Sequence, residues 1–491
     1  MSERTYKKDI ELINTWFKED VSKETTRPAE MLSLLFSATE PLFEIHHNFL
    51  QQIEHILVIW EGKSALHSNR SIGDILKDII QWLPLYERLI ERLPFILERI
   101  NASFRHNKDF ERVCRDFEAR KGCYLPYTSF ILKPAFHITH YLQIIENLSK
   151  FYVNNSSEFA KYLFIIEQLK QFNDEYSVTL NSLINLVILI ELQRDITGMD
   201  NIVQSGRRFV REGCLLKLSK KGYQQRLFFL FSDILIYASR SASVQFQFKV
   251  HGHLSLQQIM VEPTEPKLGV NFCFTIYAGE RALMVAANSE EERRIWLRDL
   301  SETAVSLSRI NGNETLPFIP TIISSNELLD KIDNALSQKW IQKSENVSQM
   351  ENIDKLHYRS NTMAHVCWHR NCSISAADYE HALTSCLSGY LLRKFKNSSG
   401  WQKLWVVFTH FCLFFYKSCQ DDFPLASLPV IGYTASMPSE TDNMNKSYVF
   451  KLQFKTHVYF FRTESEYTFR QWIEVIRNST INSDSSQHTM Q

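Results

Sequence analysis

The sequence predicts a multidomain chain: an all-α helical bundle over residues 1–198, followed by two small β-barrels, each closed by a C-terminal helix. Three observations carry this. Apolar residues recur at three-to-four spacing through most of the first 198 positions. From Gly198 the pattern changes to short strand-like runs separated by turn residues. That second pattern, strands and then one helix bearing a tryptophan, occurs twice at about 95 residues per copy, an internal duplication. A chain of 491 residues, 44% hydrophobic and 22% charged, has room for about three cores of ordinary size.

The bundle opens with Tyr6, Ile10, Ile13 and Phe17 on one stripe. Pro28 takes a first-turn position, and Met31, Leu34, Leu35 and Ala38 continue the period. A helix from Phe43 to Trp60 repeats it through Phe49, Ile53, Ile56 and Ile59. Further helices are expected from Ile72 to Tyr86, from Phe104 to Lys121 with Gly122 as its C-cap, from Thr128 to Tyr152, and from Ser157 to Asp195. Short connections between long helices make an elongated bundle.

The first barrel is expected over 206–307, with strands in Gly213–Leu218, Gln225–Phe231, Ile234–Tyr237, Phe272–Tyr277 and Ala282–Ala287. Its closing helix starts at Ser289 and turns Trp296 and Leu300 inward. The second, over 386–478, repeats this from Gly389 to Arg462, with Trp472 on the helix. A tryptophan on such a helix fills the barrel mouth. Between the barrels lies a linker, 308–385. Ser324 and Glu327 have capping-box spacing ahead of Leu328, Leu329, Ile332, Leu336 and Trp340, which predicts a short helix; Glu345 to His381 reads as loop. Residues 479–491 read as a disordered tail.

Composition narrows the function classes. The 14 Gly and 13 Pro argue against collagen-like and low-complexity architectures. No apolar run approaches the ~20 residues of a membrane span, and the N-terminus has no signal-peptide core. Nine scattered cysteines read as reduced thiols of a cytoplasmic protein. His365, Cys367, His369 and Cys372 match no common zinc spacing. No P-loop or catalytic constellation is present, and no cofactor is expected. Residues 206–305 hold 14 Lys and Arg against 10 Asp and Glu, and residues 386–477 hold 11 against 7, so each barrel is net +4 in a chain of net zero charge. That asymmetry points the barrels toward anionic surfaces, whereas nothing forms the basic stripe of a nucleic-acid binder.

Glu3-Arg-Thr-Tyr6-Lys-Lys-Asp-Ile10 resembles the first block of Dbl-homology (DH) exchange domains, and Ile131-Leu-Lys-Pro-Ala-Phe-His-Ile-Thr-His-Tyr141 resembles the third. Both barrels resemble pleckstrin-homology (PH) domains. The order DH–PH–linker–PH, with Gly389 to Phe408 and His365-Val-Cys-Trp-His-Arg370, is similar to the FERM-, RhoGEF- and pleckstrin-domain (FARP) family over essentially the whole chain. That family's N-terminal FERM module is missing, so the sequence is expected to be a fragment, a short isoform or a truncated gene model.

The resemblance implies a guanine-nucleotide exchange factor for a Rho- or Rac-family GTPase, which is not an enzyme of covalent chemistry. It implies cytoplasmic, peripheral plasma-membrane location and an autoinhibitory role for the PH domains. It places Glu3 at the carboxylate that captures a switch loop, and Lys133, His137, His140 and Asn173 at or near the GTPase-facing surface. His140 stands where most DH domains carry Lys or Arg. Ala135-Phe136-His137 departs from Val-Gln-Arg, which removes polar bracing. The alternative that follows is a catalytically weak adaptor binding GTPase, membrane or partner proteins. The phosphoinositide positions of the barrels are partly filled: Lys217, Lys220, Lys221 and Arg226 with Gln224 in the inner place, and Arg393, Lys394, Lys396 and Lys403 with Gln402 and Leu404. Weak attraction to anionic lipid, near ~1 kcal/mol per well-placed cation, is expected.

Overall fold

Apolar stripes become helices in the N-terminal region, in a computed structural model that describes residues 2–16, 18, 28–60, 71–119, 125–152, 156–241, 247–310, 362–396, 398, 400–421, 423–444 and 446–480. Helix α1 (Ser2–Trp16) buries Tyr6, Ile10, Ile13 and Trp16. Helix α2 (Pro28–Trp60) runs unbroken through Pro41, although a break before Phe43 is the sequence expectation. An interior proline costs ~3 kcal/mol. Burial of Leu35, Leu42, Phe49 and Ile56 along the same helix offsets it.

Ser71 and Asp74 form a capping box that starts α3 (Ile72–Leu76), and a 3-10 turn (Lys77–Trp82) leads into α4 (Leu83–His106). The expected helix starting at Phe104 instead begins after Asn107. Asn107 leaves helical geometry at φ −127°, ψ 107°, and its side chain accepts the N–H groups of Asp109 and Phe110. It thereby starts α5 (Lys108–Ala119); Gly122 lies outside the described residues. Helices α6 (Tyr127–Ser149) and α7 (Ser157–Asp195) complete the bundle. By composition α7 is long and apolar enough to cross a membrane, yet half of that stretch is buried in the fold.

The helical pattern ends at Asp195, slightly before Gly198. Strand β1 (Ile196–Thr197) pairs in parallel with β5 (Phe248–Ser255) of the first barrel. That barrel also holds β2 (Phe209–Ser219), β3 (Gly222–Phe231), β4 (Ile234–Arg240), β6 (Ile259–Pro263), β7 (Cys273–Ala278) and β8 (Arg281–Ala286), in the order β1-β5-β4-β3-β2-β8-β7-β6. Helix α8 (Glu290–Ile310) inserts Trp296 and Leu300 among Leu215, Phe228, Phe274 and Val285.

The loop expected from Glu345 to His381 is, in its described part, ordered structure. Helix α9 (Met363–Arg370) ends at Asn371 in the left-handed region (φ 56°), and the Cys372 N–H returns to the Cys367 carbonyl at 3.2 Å. Strand β9 (Ser373–Ser375) then pairs antiparallel with β2, Ser373 opposite Gly213 and Ser375 opposite Arg211. The buried Arg211 guanidinium meets Asp299 at 2.6 Å and Ser373 at 3.4 Å. The linker helix predicted at Ser324 to Trp340 lies outside the described residues. Gly213 permits the pairing: a Cβ there would sit 2.3 Å from the Ser373 Cβ. Gly213→Val is therefore expected to displace β9 at a cost of about 1–3 kcal/mol. Hydrogen exchange at 373–375 is the check, and unchanged protection there would refute the packing argument.

The second barrel contains β10 (Leu387–Phe395), β11 (Gln402–Thr409), β12 (Cys412–Tyr416), β13 (Ala426–Pro429), β14 (Thr434–Ser436), β15 (Val449–Phe454) and β16 (His457–Arg462), ordered β13-β12-β11-β10-β16-β15-β14. Helix α10 (Ala376–Thr384) precedes it, and α11 (Glu466–Thr480) closes it with Trp472 buried. Of the predicted tail, 481–491 lies outside the described residues. The chain divides into two units, residues 1–187 with 377–491, and residues 188–376.

Candidate functional site

Four helices bring one carboxylate and a ring of aromatic and imidazole groups together. Glu3, in the first turn of α1, is only 7% exposed. Its Oε1 lies 2.5 Å from Nδ1 of His46 on α2, and its Oε2 lies 3.1 Å from Nε2 of His137 on α6. The Tyr141 hydroxyl donates to Oε2 as well. Behind His46, Nε2 meets the Tyr86 hydroxyl at 2.6 Å. Tyr6 lies flat on the His137 ring, with centroids 3.5 Å apart and planes at 6°. Burial alone would raise the Glu3 pKa; attraction to His46 and hydrogen bonds from both imidazoles outweigh it and hold the carboxyl well below its ordinary range. Burial pushes His137 down to about 4, against the opposing pull of Glu3.

The expected loss of bracing at Ala135-Phe136-His137 is therefore not met, since His137 supplies both a polar contact and a stacked ring. Sequence reasoning does not single out His46. Its one signal is its place on the α2 apolar stripe, three residues before Phe49, where an imidazole needs a buried partner.

The other sequence-selected positions lie along α6 and α7. Lys133 is buried and paired with Asp9 of α1. His140 is buried, and its Nε2–H donates to the Leu383 carbonyl of α10 at 3.1 Å. Asn173 is half-buried on α7 and accepts from Thr139 at 3.3 Å. Glu3 and His137 thus share one cluster, His140 and Lys133 flank it on α6, and Asn173 lies apart.

Residues of the second barrel and α10 cover this face. Lys8 donates to the carbonyls of Gln420 and Asp421 at 2.9 and 3.0 Å. Asp421 shapes that turn by accepting from the Lys417 and Ser418 amides. Cys386 is near Lys133 and Asp9, and His410 is near Lys133 and His140. Farther along, Phe151 meets Tyr467 edge-on with centroids 6.0 Å apart. Sequence spacing gives no signal for these contacts between residues hundreds of positions apart.

The barrel cations are largely engaged locally. Lys220 and Lys221 are exposed on the β2–β3 turn. Lys217 lies 5.5 Å from the Tyr237 ring centre, and Arg226 donates to Gln224, the residue in the inner-cation place. Burial and then Arg226 lower the Lys217 pKa. In the second barrel Arg393 lies over Phe395 and Phe415 and donates to Gln402. Lys403 pairs with Glu464 at 3.3 Å, while Lys396 is exposed and Lys394 half-buried.

Three buried imidazoles give this unit a pH dependence. Burial pushes His140 down to about 3, with the His137 charge adding to it, and pushes His410 to about 3, with Lys133 adding. His137 stands at about 4. Each folded value is below the ordinary ~6.5, so the unfolded chain binds protons that the fold refuses. Stability is complete above pH 6.5 and is lost as pH falls toward 4 and 3. From pH 7.5 to 5.5 each imidazole is expected to remove about 1.4 kcal/mol. Chemical denaturation at the two pH values checks this. Equal stability would show that these rings are not buried neutral.

The RhoGEF domain family model matches residues 1–177, and the PH domain model matches 209–304 and 387–480. The mouse FERM, ARHGEF and pleckstrin domain-containing protein 2 is 42% identical over 486 residues, covering 98% of this chain and 45% of that protein. The chicken FERM, ARHGEF and pleckstrin domain-containing protein 1 is 42% identical over 483 residues, covering 98% and 46%. The crystal structure of the DH domain of FARP2 aligns at 35% identity over 39% of this chain and 91% of that one, with a TM-score of 0.36. The chain spans a little under half the length of the two relatives. With a RhoGEF domain, two PH domains and this identity along nearly its whole length, the chain belongs to the family of FERM, ARHGEF and pleckstrin domain-containing proteins.

Proposed function

We propose that this chain is a guanine-nucleotide exchange factor for a Rho- or Rac-type GTPase and that its second PH domain holds it closed. The observation that carries the reading is the cover over α1 and α6. Lys8 and His140, on the helices that bear the two family blocks, spend their hydrogen bonds on carbonyls of Gln420, Asp421 and Leu383. An exchange factor works by binding the nucleotide-free GTPase better than the loaded one, so whatever covers its face competes with that binding. Exposed Lys220, Lys221 and Lys396 support weak, peripheral attraction to anionic membrane. The burial of Glu3 favours a second reading, a catalytically weak adaptor. Release of a fluorescent guanine nucleotide from Rac- and Rho-type GTPases, with the full chain and with residues 1–376, separates them. Acceleration that grows on removing 377–491 supports a covered exchange factor. A folded 1–376 fragment inactive on the whole panel supports the adaptor.

A further inference from the structure

We propose that Glu3, His46 and His137 form a binding site for a zinc-like divalent ion. One carboxylate oxygen, Nδ1 of His46 and Nε2 of His137 all lie within 4.8 Å of one another, and all three residues are buried. A tetrahedral ion with bonds of ~2.0–2.2 Å needs its donors ~3.4 Å apart, so the carboxylate–imidazole contacts of 2.5 and 3.1 Å must open while the wider separations, none above 4.8 Å, close. Two imidazoles and one carboxylate make a donor set suited to zinc or cobalt; calcium and magnesium prefer all-oxygen sites.

The site is held from outside. Each ligand comes from a different helix. Tyr6 stacks on the His137 ring, and Trp82 abuts His46 edge-on with centroids 5.1 Å apart. Tyr86 meets the far nitrogen of His46 and Tyr141 donates to Glu3, the outer partners that orient metal ligands in proteins.

Proton and charge balance permit the exchange. Both imidazoles can remain neutral. The protons that Nδ1 of His46 and Nε2 of His137 give to Glu3 in the metal-free fold shift to the far ring nitrogens, Nε2 of His46 facing the Tyr86 oxygen and Nδ1 of His137. No proton is released. The cluster goes from a net charge of −1 to +1, so the buried charge keeps its size. A cavity of about 210 Å³ gives access, with Glu3 and Tyr141 on a wall otherwise built from residues such as Phe49, Ile53 and Ile75. That volume holds the water needed as a fourth ligand.

Resting on the exchange-factor reading, an ion here would keep Glu3 turned inward and slow exchange. Binding is tested without any GTPase, so the two can fail separately. The full chain, stripped of metal, is titrated with Co²⁺ and then Zn²⁺. Expected are visible cobalt absorption at one equivalent, bleaching by Zn²⁺, and a raised melting temperature. These are lost in His46→Gln and His137→Gln and kept in His251→Ala, which alters an exposed imidazole. No visible absorption at micromolar cobalt overturns the site, as does binding that survives the double variant. So does a near-ultraviolet thiolate band alone, which marks cysteine ligation. If the glutamine variants do not fold, paramagnetic shifts of the His46 and His137 ring protons in the cobalt-loaded chain decide, and unshifted rings refute the assignment.

Discussion

Asp421→Ala combined with Tyr467→Ala is expected to raise nucleotide release by the full chain tenfold or more. Both changes lie in the second PH domain and leave the residues of the family blocks themselves unaltered. Asp421 holds the turn whose carbonyls receive Lys8. Without it the carbonyls lose their fixed aim, and two hydrogen bonds worth about 1 kcal/mol each weaken. Tyr467 supplies the edge contact to Phe151, worth about 0.5–1.5 kcal/mol beyond its area. Together these terms approach 3 kcal/mol, about a hundredfold in the ratio of open to closed chain. The observed rise stops where the open form dominates. Stopped-flow release from a Rac- or Rho-type GTPase measures it. An unchanged rate in a folded double variant would remove these contacts from any regulatory role.

Glu3→Ala is expected to bring release down to the spontaneous rate, at least ~100-fold below the open wild type, and to destabilise the bundle. Under the proposed exchange-factor function this carboxylate would capture the displaced switch loop, and alanine offers no acceptor. In the resting fold the same change strands donors of His46, His137 and Tyr141, at about 1–3 kcal/mol for each buried group left unpaired. Glu3→Gln separates the effects, because it keeps the side chain's size and one acceptor while losing the charge. It should fold better than the alanine variant and still exchange poorly. Full activity in either variant would be fatal to the assigned role of Glu3.

Much of the fold is legible in the sequence because its elements are locally determined. The stripe Tyr6, Ile10, Ile13 needs only helical geometry to be read, and Trp296 and Trp472 announce plugged barrels wherever the strands lie. Reading fails where two local signals compete. Pro41 argues for a break that core burial overrides, and Asn107 makes one inside an apolar period that looks continuous. Strands β5, β6, β13 and β14 escape notice because their faces are partly polar or solvated. The α9–β9 segment is invisible for another reason: three residues form a strand only because β2 offers an edge and Gly213 leaves space. The candidate site divides the same way. Glu3, His137 and His140 stand out by their places in recognisable blocks, whereas His46, Lys8 and Leu383 matter only through partners that folding brings to them.

Because Lys8 reaches main-chain oxygens, the cover over α1 reads the shape of a turn and not the identity of its residues. The side chain of Gln420 is exposed while its carbonyl makes the contact. Asp421, whose side chain bonds back into its own turn, sets where both carbonyls point. A saturation scan would thus record tolerance at Gln420 and intolerance at Asp421. Among relatives this surface could drift in sequence and still close, and residue covariation across it would be nearly silent.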